Sequence, residues 1–254
     1  NMSTKTYDTL EGQLSVRPTP TVTQSSPANS VAIIGGYDAD NAAADVNAGE
    51  ATAVRDPVDA SDQFGDCEIT RAASVMTANG AGDIRAVPVP ETEMTESIIS
   101  GSDLTLSYTP FDPNLHPDHS ITVTDTTTST DLTVNITYSD PVPVPSESDT
   151  ANVNPLTQTV EVDSSGDYDV TYTYGEYTNA IQTAADLQVR YVCPLTESPS
   201  VKADTVATLN NVANDFDFKR AVVGAKPEIE PVDIGDYTPD ERSWRMVEVA
   251  PARA

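Results

Sequence analysis

Lysine is nearly missing from this chain: it occurs only at Lys5, Lys202, Lys219 and Lys226. With arginine included there are 13 basic residues against 40 acidic ones, a formal net charge of −27 over 254 residues. That deficit weighs against nucleic acid as a partner, because binding a phosphate backbone needs cations to displace its counterions. An anionic membrane surface is disfavoured for the same reason. Histidine occurs only at His116 and His119, and cysteine only at Cys67 and Cys193. Two cysteines make no disulfide framework, and both lie in apolar contexts that suit buried free thiols. No apolar run approaches the roughly 18 residues of a membrane-spanning helix. The polar, Thr-rich beginning has no signal-peptide pattern, so export by that route is not expected.

The usual signatures of chemistry are also lacking. There is no P-loop and no GxSxG nucleophile turn. The paired glycines after Ser30–Ile34 do not extend into GxGxxG, so nucleotide binding is not indicated. His116, Asp118 and His119 have prolines beside them and no cysteine near, which suits exposed loop histidines better than a metal site. Asp163, Asp167 and Asp169 lack the spacing and closing glutamate of a calcium loop. Both thiols sit where burial raises their pKa and blunts reactivity. Asn135-Ile136-Thr137 fits a glycosylation acceptor, but its alternation already accounts for it as strand. The expectation is a protein that is not an enzyme and carries no cofactor.

What is present is acid dispersed among apolar segments. High net charge with few aromatics is one signature of disorder. Here, however, the carboxylates alternate with clear strands and helices, as in proteins of high-salt cytoplasm. At molar salt the Debye length falls to roughly 3 Å, and repulsion between carboxylates largely disappears. A folded halophilic protein is the expectation.

The organising stretch is Thr52–Pro90. An extended start, Ala53–Val58, leads to Asp59 as a helix N-cap. Ile69, Ala72, Ala73 and Met76 form one apolar helix face, and Cys67 falls on that helix. Asn79-Gly80-Ala81-Gly82 ends the helix, and Ile84–Val89 continues as a strand. Before this unit, residues 1–29 are polar and proline-broken, with Gln13-Leu14-Ser15-Val16-Arg17 as the one extended apolar hint. Leu14, Val16 and Arg17 are therefore the candidate contacts of an extended N-terminal arm that adds a strand to a neighbouring sheet edge. Ser30–Gly36 reads as a buried central strand, and Asp38–Glu50 as a surface loop.

After Pro90 the character shifts. Residues 98–177 alternate in short runs at 103–108, 120–124, 131–138, 156–162 and 168–174, which predicts an antiparallel β-domain. Asp163–Asp167 is expected to be a hairpin turn joining the last two runs, and Pro141, Pro143 and Pro145 a stiff linker. The α/β pattern then resumes. A helix is expected at 179–186, a strand at 188–193, and a helix after Pro199 with Val201, Thr205, Leu209, Val212 and Phe216 on one face. Strands follow at 219–224 and from Trp244. The fold class is α+β: a discontinuous α/β domain (30–97 and 178–254) with an inserted antiparallel β-domain (98–177).

The ordered segments DASDQFG, ANGAGDIRAVPV, SSGDYDVTYTYGEYTNAIQTA, LQVRYVCPLTESPSV and KRAVVGA resemble the contractile tail sheath proteins of phages, archaeal viruses and related injection machines. That resemblance covers about residues 30–250. It implies a sheath-type α/β domain with its β-insertion facing outward, in a subunit that polymerises as stacked rings or a helix around a tail tube. Contraction then drives the tube through a cell envelope, and the partners implied are further copies, the tube protein, and baseplate and tail terminator proteins. The implied location is a virion tail or injection-machine sheath assembled in host cytoplasm. Family members usually continue into a tube-facing domain, so the likeness ending at VEVAPARA leads one to expect a partial or shortened relative. The competing reading is an acidic cell-surface or adhesive β-domain protein of a halophile; a third is an α/β enzyme with a β lid.

Overall fold

The computed structural model describes residues 29–99, 104–113, 119–163, 166–213, 219–224 and 246–249. Its centre is β1 (Ser30–Gly35), every residue of which is buried. Continuous burial means both faces are covered, and the apolar run Val31–Ile34 is the reason. β1 lies between β3 (Asp83–Pro88) and β12 (Tyr191–Pro194), parallel to both. β13 (Arg220–Gly224) and β14 (Met246–Val249) extend the parallel sheet, and β2 (Thr52–Val54) pairs antiparallel at the far edge. The resulting order, β14-β13-β12-β1-β3-β2, is doubly wound, with the reversal of direction between β1 and β12.

The organising unit differs from expectation at its start. Two helices stand where one was expected: α1 (Pro57–Phe64) and α2 (Glu68–Ala78). Asp56, not Asp59, caps α1, accepting from the Val58 and Asp59 N–H groups. Pro57 explains the shift, because proline is tolerated in the first helical turn and its predecessor is pushed to extended backbone. Asp59 reaches backward instead and accepts the Arg55 N–H at 2.8 Å. Gly65 separates the helices at φ 76°, ψ −164°, a conformation nearly confined to glycine. Cys67 accordingly occupies the N-cap of α2 and not its interior. The α2 face behaves as its spacing predicts: Ile69 and Ala73 are buried, with Ala72 and Met76 packed against the same core. Gly80, at φ 86°, ends the helix.

α1 and α2 cover one sheet face through Phe64, Ile69, Ile33 and Ile84. The other face carries α3 (Tyr177–Asp186) and α4 (Pro199–Ala213) over Ala32, Ile34, Val192 and Ala221. Val201, Thr205 and Leu209 of α4 are buried and Val212 packs beside them, as their spacing predicts. Phe216 lies outside the described residues.

Between β3 and α3 the chain leaves for a two-layer β-sandwich. One layer has the order β4-β11-β6-β7, with β4 at Glu91–Ile99, β6 at Ile121–Asp125, β7 at Thr130–Asp131 and β11 at Asp167–Gly175. The other is β5-β10-β9-β8, with β5 at Leu104–Thr105, β8 at Thr133–Ile136, β9 at Thr150–Asn154 and β10 at Thr159–Val162. Three expectations change here. Glu91–Ile99, assigned to the α/β part up to residue 97, pairs along its whole length with β11. β8 and β9 are parallel, so the insertion is not wholly antiparallel. The hairpin expected at Asp163–Asp167 is not formed, because β10 and β11 belong to different sheets, and residues 164–165 lie outside the described residues. Local alternation identifies strands, whereas sheet membership depends on which faces meet in the core.

That core contains Leu106, Phe111, Val123, Val153, Val160, Val170 and Tyr172, all at most 1 % exposed. In Leu132–Ile136 the alternation holds: Leu132, Val134 and Ile136 pack inward between exposed Asp131, Thr133 and Asn135. The insertion joins the α/β domain by a two-strand stalk. Gly175 is opposite Glu91, and the Glu176 N–H donates to the Pro90 carbonyl at 3.0 Å. Thr92 Oγ1 adds a bond to Glu176 Oε1 at 2.9 Å.

Candidate functional site

In a doubly wound sheet the crevice beyond the strands' carboxyl ends, at the reversal point, is the natural ligand position. Here that crevice is a cleft of about 470 Å³, lined by Glu68, Arg71, Leu195, Thr196, Glu197 and the end of β13 at Val222–Gly224. β1 ends at Gly35, close against the lining residue Leu195. A side chain at Gly35 would strike Leu195 Cδ1 at 2.8 Å, so only a bare Cα lets the two chains approach. Carboxylates gather near this strand end: Glu91 Oε1 and Glu68 Oε2 face Gly36, and Glu197 lies against Gly224. Tyr177 registers them electrically. Burial pushes its hydroxyl well above the ordinary range, and Glu68, Glu197 and Glu91 push it further. Its O–H donates to the Leu195 carbonyl at 3.4 Å.

The chemistry available is narrow. The negative field opposes a phosphate, and the one guanidinium in the lining, Arg71, is 3.5 Å from Asp66 in an exposed ion pair. Burial pushes the Cys193 thiol up to about 11, so it is protonated at neutral pH and a poor nucleophile. Ser198 Oγ lies 3.0 Å from Ser200 Oγ and 3.3 Å from Thr109 Oγ1, with no imidazole in the group. Among the described residues no three His, Cys, Asp or Glu side chains are grouped to hold a metal. Nor does any helix among them have the length and apolarity to cross a membrane.

The residues singled out from sequence are dispersed. Leu14, Val16 and Arg17 lie outside the described residues, as does His116. His119, expected to be exposed, is buried. Its Nδ1 accepts the Asp112 N–H at 3.1 Å, and Tyr138 O–H donates to Asp112 Oδ2 at 2.9 Å, so the imidazole ties a loop into the sandwich. Asp169 accepts from Ser97 Oγ at 2.6 Å on the outer sheet face, an arrangement that explains it without an ion. Of the free thiols, Cys67 is buried and Cys193 is only partly so.

A polar centre inside the sandwich was not foreseen. Glu96 points inward from β4 and accepts from Tyr172 O–H, the Ser107 N–H at 2.9 Å and Ser107 Oγ at 2.8 Å. The Tyr172 hydroxyl also accepts the Tyr108 N–H at 3.1 Å. Burial by itself would raise the Glu96 carboxyl, but these bonds to the charged form outweigh it and the net shift is downward. Tyr172 moves the opposite way, raised first by burial and then by its bond to Glu96. The signal in the sequence was Glu96 two residues after Met94, which packs against the sandwich core. No protein-family model matches the chain, and no curated protein matches it.

Proposed function

We propose that this chain is a structural subunit of a contractile tail sheath, assembling head to tail around a tail tube. The observation that carries the reading is architectural. A doubly wound α/β domain is interrupted once, between β3 and α3, by a β-sandwich on a two-strand stalk. That is the layout implied by the resemblance of the ordered segments between residues 30 and 250.

Two further features favour an assembling role. The sandwich offers a nine-residue edge strand, β4, whose only partner among the described strands is β11. Such an edge is a template for an incoming strand, and the Leu14–Val16 segment is the arm that would seek an edge of this kind on a neighbour. Among the described residues the acidic crevice at the reversal point also lacks what phosphoryl transfer requires, in keeping with contraction driven by energy stored at assembly. The six-stranded α/β sheet weighs against the adhesive β-domain reading, which has no use for it.

Negative-stain microscopy of the purified protein in molar salt tests the proposal: striated tubes or stacked rings are expected. Monodisperse monomers at all concentrations overturn it. A Leu14→Pro, Val16→Pro double variant is expected to stay folded, by an unchanged far-UV circular dichroism spectrum, and to lose most polymerisation. Normal tubes from that variant would remove the arm from the account.

A further inference from the structure

The two flanks of the sandwich are unlike. On one, β7 and β8 are consecutive and cross from one sheet to the other through Leu132, whose N–H donates to the Val123 carbonyl at 2.8 Å. The other flank ends in β4, nine residues long, with β11 as its only partner among the described strands. The direction of its backbone groups follows from its neighbour. The Glu176 N–H donates to the Pro90 carbonyl, whereas Thr173 and Gly175 turn their N–H groups the other way, to Ser120 and Pro110. Bonded and unbonded positions alternate in an antiparallel pair, so Thr92, Met94, Glu96 and Ile98 are the residues bonded to β11. Glu91, Glu93, Thr95, Ser97 and Ile99 therefore aim their N–H and carbonyl groups out of the sheet edge. The side chains of Glu91, Glu93, Thr95 and Ser97 are exposed as well.

We propose that this edge pairs with the β4 of a second copy, antiparallel about a twofold axis at Thr95, in the free subunit. Three observations select that occupant. The outward backbone groups fall on odd-numbered residues, and a register centred on Thr95 sets odd against odd, so every pair it forms there is of the bonded kind. That register also uses the whole strand without opposing two carboxylates: Thr95 meets Thr95, Glu93 meets Ser97 and Glu91 meets Ile99. Finally, the contacts repeat those β4 already makes with β11, where Thr95 meets Thr171 at 2.9 Å and Ser97 meets Asp169 at 2.6 Å. The sheet β7-β6-β11-β4 then continues into its copy, with the exposed rows of both on one side. Each copy carries a net charge of −27, so the approach needs screening and the pairing is strongest in molar salt.

The inference goes beyond the sheath reading and does not rest on it. A closed twofold contact cannot propagate into a tube, so the dimer belongs to the unassembled subunit, where it covers an edge that would otherwise template aggregation. Sedimentation velocity over a concentration series in molar KCl is expected to show a monomer–dimer step before any larger species. Thr95→Pro removes an outward N–H and no backbone bond to β11. It is expected to keep the wild-type far-UV circular dichroism spectrum and to weaken the dimer at least about tenfold. Bonded antiparallel pairs hold their Cα atoms about 5.5 Å apart, within reach of a disulfide. Oxidised Thr95→Cys is therefore expected to give a dimer covalently joined at position 95, mapped by peptide mass spectrometry. Glu93→Cys is not, because the two copies of position 93 stand about 13 Å apart along the strands. Wild type that stays monomeric overturns the proposal, as does Thr95→Pro dimerising like wild type or equal cross-linking at 93 and 95. Monomers that pass to tubes with no dimer overturn it and leave the sheath reading standing; dimers without tubes do the reverse.

Discussion

The central sheet and the inserted sandwich dispose of the same acidic composition in different ways. β1 is buried at every position, and a strand covered on both faces has no place for a charge. The α/β half therefore carries its acids on helices and loops, such as Asp59, Asp62 and Asp66. The sandwich strands have one wet face, and there hydroxyls and carboxylates stand side by side. Thr95 pairs with Thr171 at 2.9 Å, Ser97 with Asp169 at 2.6 Å, Ser120 with Thr173 at 3.0 Å and Thr124 with Asp131 at 2.7 Å. Two side-chain ion pairs, Arg71–Asp66 and Arg85–Asp83, are both at least partly exposed. A chain poor in lysine can still bond its carboxylates, because threonine and serine supply donors without a cation. The abundance of threonine in the insertion thus has a physical role beyond strand propensity.

The largest test of this division removes core volume from each half. Ile33→Ala and Leu106→Ala each empty a fully buried site and are expected to destabilise by about 2–5 kcal/mol. Because the sandwich has its own core, Leu106→Ala should speed hydrogen exchange in β4 and β11 while β1 and β12 stay protected. Exchange that quickens equally in both halves would erase the distinction. Gly65→Ala comes next. It forces a side chain into a conformation costing about 1–3 kcal/mol, and its Cβ would meet Asp38 Cβ at 2.8 Å. Thermal unfolding should show a clear loss, greater than for Gly80→Ala, where the surrounding space is open.

Tyr172→Phe sharpens the comparison inside the sandwich. It leaves Glu96 and the Tyr108 N–H each short of a partner and is expected to cost about 1–3 kcal/mol. Two pH effects accompany it. The Glu96 carboxyl is held below its ordinary value in the fold, so its contribution is present above about pH 4.3 and lost as pH falls through the lower folded value. Tyr172 is raised, so its contribution is present below about pH 10 and lost as pH rises from there toward the folded value. Urea unfolding across both ranges should show Tyr172→Phe with a shallower decline at each end. A decline unchanged by the variant would assign the pH sensitivity to other groups.

The smallest expected effect concerns salt. If dispersed carboxylates are adapted to brine, far-UV circular dichroism should weaken between molar and 0.1 M KCl as screening is withdrawn. An identical spectrum at both concentrations would count against the halophilic reading.

Much of this organisation was present in the order of residues. The apolar run in Ser30–Gly36 fitted a buried central strand, and the spacing of Ile69, Ala72, Ala73 and Met76 marked one apolar helix face. The α/β pattern before Pro90 and after Glu176 placed the insertion between them. Period and composition act over a few residues, so a linear reading captures them. Other features were decided by contacts between distant segments. β10 and β11 look like a hairpin, yet they lie in separate sheets, whose inner faces bury Val160 and Tyr172 in one core. His119 looks like a loop residue, yet the fold brings Asp112 to it and closes water out. The crevice of Glu68, Glu91 and Glu197 draws on three separate segments, and no spacing along the chain announces it. Local preference set the elements; the need to cover every apolar face and satisfy every buried polar group set their arrangement.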